Sequence, residues 1–233
     1  MTHPTGGTAP ADAGPLTGAL WRSIEPVYTA ILGHPFVTGL TDGTLPEDRF
    51  AHYVVQDAHY LRDYARALSL LSARAPDEEG VRLFAEHARM AIVDEKALHR
   101  DLLPALGIAP ETVDATAPAP TCVAYTSFLL SVCHGGSFAE ALGAVLPCYW
   151  IYQEVGRSLV ARGSPDERYQ RWIDTYAGDE FAAVVRSALA VADGLDPQPE
   201  GAELERMRSR FVTSARLEWM FWDMGWRMEQ WPV

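Results

Sequence analysis

Residues 46–74 read PEDRFAHYVVQDAHYLRDYARALSLLSAR. Phe50, Tyr53, Val54, Tyr60, Leu61, Tyr64 and Leu68 return at three- and four-residue steps, the spacing that lines one face of an α-helix. Pro46 suits the opening of a helix, where its missing N–H leaves no bond unmade. Pro76-Asp77 close the segment. Asp57 stands in the middle of the apolar stripe. A carboxylate in that position is expensive, because its desolvation costs several kcal/mol unless a partner offsets it.

The same period holds along the rest of the chain. Helices are predicted over 15–32, 46–74, 77–106, 121–133, 138–162, 165–176, 179–193 and 202–230. Gly107, Gly135-Gly136, Gly163, Gly178 and Asp196-Pro197 fall between them. Pro147 lies inside a predicted helix, where a kink is expected. Period-2 alternation is absent, so the fold class is all-α. No linker or repeat divides the chain, which gives one helical catalytic domain over 15–233. Residues 1–14 are Thr, Pro, Gly and Ala with little to bury, and read as a disordered tail.

Composition narrows the function. The 233 residues are 48% hydrophobic and 21% charged, enough apolar material for a real core. The formal net charge of −12 repels polyanions, so neither a nucleic acid nor an anionic membrane is an expected partner. The three cysteines, Cys122, Cys133 and Cys148, include no CxxC pair, which fits free thiols in a reducing cytoplasm. No signal peptide or membrane span is visible. Glu95 and His99 share a helix face four apart, but a metal centre needs further ligands on partner helices, and no metal is expected. Without GxGxxG or a Walker loop, no nucleotide cofactor is indicated either.

Three more stripes carry polar intruders. In the last helix the run Met207, Phe211, Ala215, Phe221, Trp222 contains Glu218. Between Leu142 and Leu159 stand Cys148 and Tyr152, four apart on one face. Tyr125 shares a stripe with Phe128, Leu129 and Val132. Taken singly, each has a plain reading: a structural ion pair, a small hydrophobe, a packing ring. Together they would build a polar, aromatic-walled pocket suited to a flat, hydrogen-bonding heterocycle. Its carboxylates would serve acid–base chemistry and its thiol nucleophilic chemistry. The belt Trp219, Met220, Phe221, Trp222, Met224 and Trp226 is wide for one helix face, and an oligomer contact is expected there.

These residues resemble the thiaminase II (TenA) family. The likeness runs over nearly the whole chain. It is carried by His34-Pro35-Phe36, Gly43-Thr44-Leu45-Pro46, Gln56-Asp57 with Tyr60 and Tyr64-Ala65-Arg66, then Tyr125, the run from Pro147 to Tyr152 with Glu154, Trp172-Ile173 with Tyr176, and Glu218 with Phe221-Trp222-Asp223. Ala58-His59 departs from the family's usual aromatic residues or proline. The resemblance implies a haem oxygenase-like helical bundle, a homotetramer, no cofactor, and hydrolysis of aminopyrimidines in thiamin salvage. The substrate implied is 4-amino-5-aminomethyl-2-methylpyrimidine, with cleavage of thiamin a slower activity. Cys148 places the chain in the cysteine-containing division. The implied roles are Cys148 as nucleophile on the pyrimidine ring and Glu218 as the acid toward ring nitrogen. Asp57 would be acceptor for the 4-amino group. Tyr60, Tyr125, Tyr152 and Tyr176 would be walls, Tyr176 also offering a bond to Cys148, and Phe221 would pack on the ring. Two other classes compete: a di-iron enzyme built on Glu95 and His99, and a non-enzymatic helical binding protein.

Overall fold

In the structure, a computed structural model, residues 9–233 are described, with the side chains of all but 94–101 and 110. The segment that opens the sequence analysis forms helix α4 (Glu47–Ala73). Pro46 is its N-cap, in extended conformation, and Glu47 and Asp48 in the first turn complement the helix dipole. Before it come α1 (Pro15–Arg22), α2 (Glu25–Leu32) and α3 (Pro35–Asp42). After it come α5 (Glu78–Ala105), α6 (Pro110–Ala115), α7 (Pro120–Gly135), α8 (Phe138–Val160), α9 (Glu167–Ala177), α10 (Asp179–Asp193) and α11 (Gly201–Arg227). Every regular element among the described residues is a helix.

Helix α8 is the axis of the molecule. It is buried on almost every face, from Ala139 to Gly156, and packs against α4, α7, α9, α10 and α11. Ser137 caps it, its Oγ accepting from Glu140 N at 3.2 Å. Helix α4 closes over it together with α5 and α7. Gly156 permits a close approach: a Cβ there would stand 2.6 Å from the carbonyl carbon of Tyr176. The end of α9 therefore lies directly on α8, one turn beyond Tyr152.

Several expectations are corrected. The helix predicted over 15–32 divides at Ser23-Ile24. Pro26 sits in the first turn of α2, where it has no N–H for the carbonyl of Arg22 and its ring would clash there. Helix α3 was not predicted; Pro35 opens it, His34 Nδ1 accepts from Phe36 N at 3.1 Å, and Gly43 ends it in the left-handed region at φ 65°. Helix α6 lies between the helices predicted over 77–106 and 121–133, where none was predicted. The tail does not extend through 9–14: Asp12 pairs with Arg157 at 2.8 Å and Ala9 and Ala13 pack on the core. Residues 1–8 of that expected tail lie outside the described residues. Helix α8 continues on both sides of Pro147, and an unbroken helix is compatible with the kink expected there. Part of the aromatic belt of α11 is covered within the chain, while Met220 stays exposed. Phe221, Trp222 and Met224 are buried within the chain, Trp219 meets His34 edge-on, and Arg49 covers Trp226.

Candidate active site

A cavity of about 480 Å³ opens between α4, α5, α8 and the junction of α9 with α10. Its inner wall holds Asp57, Tyr60 and Tyr64 from α4 and Cys148, Tyr149 and Tyr152 from α8. These are the periodic intruders and their neighbours, brought together because α4 and α8 turn the same faces inward. Tyr176 and Trp172 complete the wall from α9. The ring of Tyr176 lies 4.8 Å from Tyr152 and 4.6 Å from Trp172. The buried His87 also lines the cavity, and Met90, Glu180 and Phe181 form the outer rim.

Of the three thiols, Cys122 and Cys133 are sealed in the core, whereas Cys148 keeps partial access through the cavity. Burial pushes the Cys148 thiol well above its ordinary range, and Glu218 adds to the rise. The Tyr60 and Tyr64 hydroxyls oppose it by favouring the thiolate. Tyr64 donates to Val145 O at 3.0 Å. The buried Tyr60 hydroxyl makes no hydrogen bond of ordinary geometry within the protein. An unsatisfied buried hydroxyl facing a cavity is a group prepared for a ligand.

Tyr125, Glu218 and Phe221 do not line the cavity. They lie behind Tyr60, whose ring is 4.9 Å from that of Tyr125 and 5.4 Å from that of Phe221. Glu218 is 1% exposed. Burial raises its pKa to about 8; contact with Tyr125 lowers it, and Asp57 raises it further. At neutral pH this carboxyl is a neutral acid. Tyr125 Oη stands 2.6 Å from Glu218 Oε1 and 2.8 Å from Ser214 Oγ. Ser214 donates in turn to Ala144 O at 2.7 Å.

Sequence reasoning missed Ser214, Tyr149, Tyr53 and His87 as parts of this network. Ser214 was legible, four residues before Glu218 on the same face. Tyr53 bonds to the Tyr152 hydroxyl at 3.0 Å. His87 Nδ1 meets the Tyr149 hydroxyl at 3.0 Å, and burial lowers the His87 pKa to about 4, so the ring is neutral. The side chains of Glu95 and His99, the candidate metal pair, lie outside the described residues. Among the described residues no three His, Cys, Asp or Glu side chains converge as a metal would need. Among the described residues no helix is long and apolar enough to cross a membrane.

The arrangement defines a class: an all-α protein whose central helix presents a thiol to a small, aromatic, hydrogen-bonding cavity with a neutral carboxyl behind it. A domain from Shewanella denitrificans with a heme oxygenase-like fold superposes at a TM-score of 0.70 over 90% of this chain and 91% of its own; at 16% identity this shows the fold alone. The chain belongs to the TENA/THI-4/PQQC family, which it matches over residues 21–228. An aminopyrimidine aminohydrolase of Bacillus subtilis is 41% identical over 198 residues, covering 85% of this chain and 84% of that protein. A TenA homologue from P. horikoshii aligns at a TM-score of 0.84 with 31% identity, over 91% of this chain and 98% of its own.

Proposed function

We propose that the protein is an aminopyrimidine aminohydrolase of thiamin salvage. It converts 4-amino-5-aminomethyl-2-methylpyrimidine to the 5-hydroxymethyl pyrimidine with release of ammonia, and hydrolyses thiamin to pyrimidine and thiazole more slowly. The observation that carries this reading is Cys148. It is the accessible thiol of the three, and it opens into a cavity whose wall also holds Asp57 and the tyrosines. The relative from Bacillus subtilis bears the name of this activity.

The thiol and the acid are both neutral before reaction, and that suits addition to a neutral ring. Sulfur bonds to the pyrimidine carbon while a ring nitrogen takes a proton relayed from Glu218 through the Tyr60 hydroxyl, and the thiol's proton restores the acid. The ring electrons then expel the protonated aminomethyl nitrogen as ammonia. Water adds to that carbon and gives its spare proton to the ammonia, and the C–S bond breaks as the ring N–H proton passes to sulfur and returns the thiol. Asp57 accepts from the 4-amino group and sets the ring's register; Tyr60, Tyr152 and Tyr176 enclose it. Tyr125 and Phe221 support Tyr60 from behind rather than touching the ring. Tyr60, within electrostatic reach of both Cys148 and Glu218, stands at the boundary between acid and cavity.

A homotetramer in the cytoplasm is part of this reading, supported by the family resemblance. It is checked by sedimentation, where a single-chain species at micromolar concentration would contradict it. The activity is tested by ammonia release from the aminomethylpyrimidine, which a non-enzymatic binding protein would not produce. Turnover should fall on the alkaline side near pH 8, as Glu218 ionises.

A further inference from the structure

The hydrogen-bond ladder behind Tyr60 ends on a backbone carbonyl, so its protons can be counted. Ala144 O to Ser214 Oγ is 2.7 Å, Ser214 Oγ to Tyr125 Oη is 2.8 Å, and Tyr125 Oη to Glu218 Oε1 is 2.6 Å. Each contact is of hydrogen-bond length and needs a hydrogen between its oxygens. The carbonyl brings none, and Ser214 and Tyr125 bring one each. Three contacts need a third hydrogen, and Glu218 is the remaining source.

We infer that Ser214, one turn before Glu218, is a positioning residue for the acid: by donating to Ala144 O it accepts from Tyr125, which then accepts from a protonated Glu218. The consequence for turnover rests on the proposed activity; the proton count does not. The groups facing Glu218 agree with it. They are Asp57, Tyr53 and Tyr60 from α4, Tyr125 from α7, and Cys148 and Tyr152 from α8. These are an acid, a thiol and hydroxyls. On the α3 side, His34 faces Asp223 instead, at 3.5 Å.

Ionisation rearranges the ladder. With two protons left, Ser214 turns to Tyr125 and Tyr125 to the carboxylate, and the contact to Ala144 O is lost. Replacing Ser214 by Ala therefore removes two bonds from the neutral form and one from the ionised form. The net loss of one bond from the neutral form lowers the Glu218 midpoint by about one pH unit. Replacing Tyr125 by Phe acts oppositely. It removes the donor to the carboxylate, and charge-assisted bonds are the stronger kind, so the midpoint rises. A residue that merely packs would move neither.

The test is difference infrared spectroscopy of the ligand-free protein, with Glu218→Gln subtracted, followed from pH 6 to 10. A protonated carboxyl band at pH 7, shifted acidward by about one unit in Ser214→Ala and alkaline in Tyr125→Phe, supports the inference. An ionised Glu218 at pH 7, or a Ser214→Ala midpoint that is unmoved or raised, overturns it. If Ser214→Ala does not fold, the wild-type and Tyr125→Phe titrations decide: a Tyr125→Phe midpoint that is unmoved or lowered overturns it. If the midpoints move as stated and no ammonia is released from any aminopyrimidine, the activity reading fails and this one stands. If both hold, the alkaline limb of turnover follows the same midpoints.

Discussion

The inner wall and the outer rim of the cavity are built by different rules. Asp57, Tyr60, Tyr64 and Tyr152 sit at helical spacing on α4 and α8 and are all buried. Rim residues such as Asp174, Thr175, Asp179 and Glu180 cluster where α9 gives way to α10 at Gly178, and are exposed. In the wall, burial pushes the hydroxyls of Tyr60, Tyr64 and Tyr152 and the Cys148 thiol toward their neutral forms. In the rim, water competes for every contact. On the proposed reading the wall holds the ring and the reacting groups and the rim governs access, so wall substitutions should reach turnover or ring binding and rim substitutions KM alone.

The largest effect is expected from Cys148→Ser, which should abolish ammonia release with unchanged circular dichroism. A hydroxyl is a far poorer nucleophile than a thiol, and the volume changes little. Near wild-type rates in that variant would remove the wall's claim to the chemistry. Glu218→Gln should lower kcat by about 10²–10⁴-fold with little change in KM, and abolish the alkaline limb. The same variant tests burial through stability. Glu218 ionises near 8 in the folded protein against 4.5 when unperturbed, so the wild type carries no penalty below about pH 4. The penalty grows as pH rises and is full, on the order of 5 kcal/mol, only above the folded midpoint. Thermal unfolding should show the Gln variant gaining on the wild type over that interval; parallel curves would mean that Glu218 is solvated. Asp57→Asn should weaken binding of the hydroxymethyl product about tenfold to a hundredfold by calorimetry, because an amide misaligns one donor. Equal affinity would return Asp57 to a structural role. Smallest of all is Phe181→Ala. Its ring meets Tyr176 edge-on at 5.2 Å, a pair worth about 0.5–1.5 kcal/mol. KM should rise a few-fold with kcat preserved; a fall in kcat would blur the boundary between wall and rim.

The same contrast explains what the sequence made legible. A carboxylate or thiol on an apolar stripe is an anomaly that periodicity exposes, which is how Asp57, Cys148 and Glu218 stand out. Polar residues at the α9–α10 junction are unremarkable, since polarity is expected at a break between helices. Depth was also hidden. Periodicity gives the face of a helix but not the layer, and the family resemblance put Tyr125 and Phe221 against the ring although Tyr60 stands between them and the cavity. His87 has the opposite problem: its neutrality depends on burial by other helices, which no local spacing records. The α1–α2 division was visible in Pro26, and α3 in Pro35 and Gly43, because proline and glycine act through the backbone itself.

Helix α8 carries Cys148 and, one turn earlier, the Ala144 carbonyl on which the Ser214–Tyr125–Glu218 ladder ends. The proposed nucleophile and the anchor of the proposed acid's ladder thus share a single datum. A turn of helix is about 5.4 Å and hardly stretches, so the thiol and the carbonyl that anchors the ladder keep a fixed spacing, while Glu218 moves with α11 and the hydroxyls of Ser214 and Tyr125 turn to follow it. In engineering language, the tolerance is loose at the joints and tight along the spine. A designer wishing to enlarge the cavity for a bulkier heterocycle would alter α5 or the α9–α10 junction and leave residues 144–148 untouched.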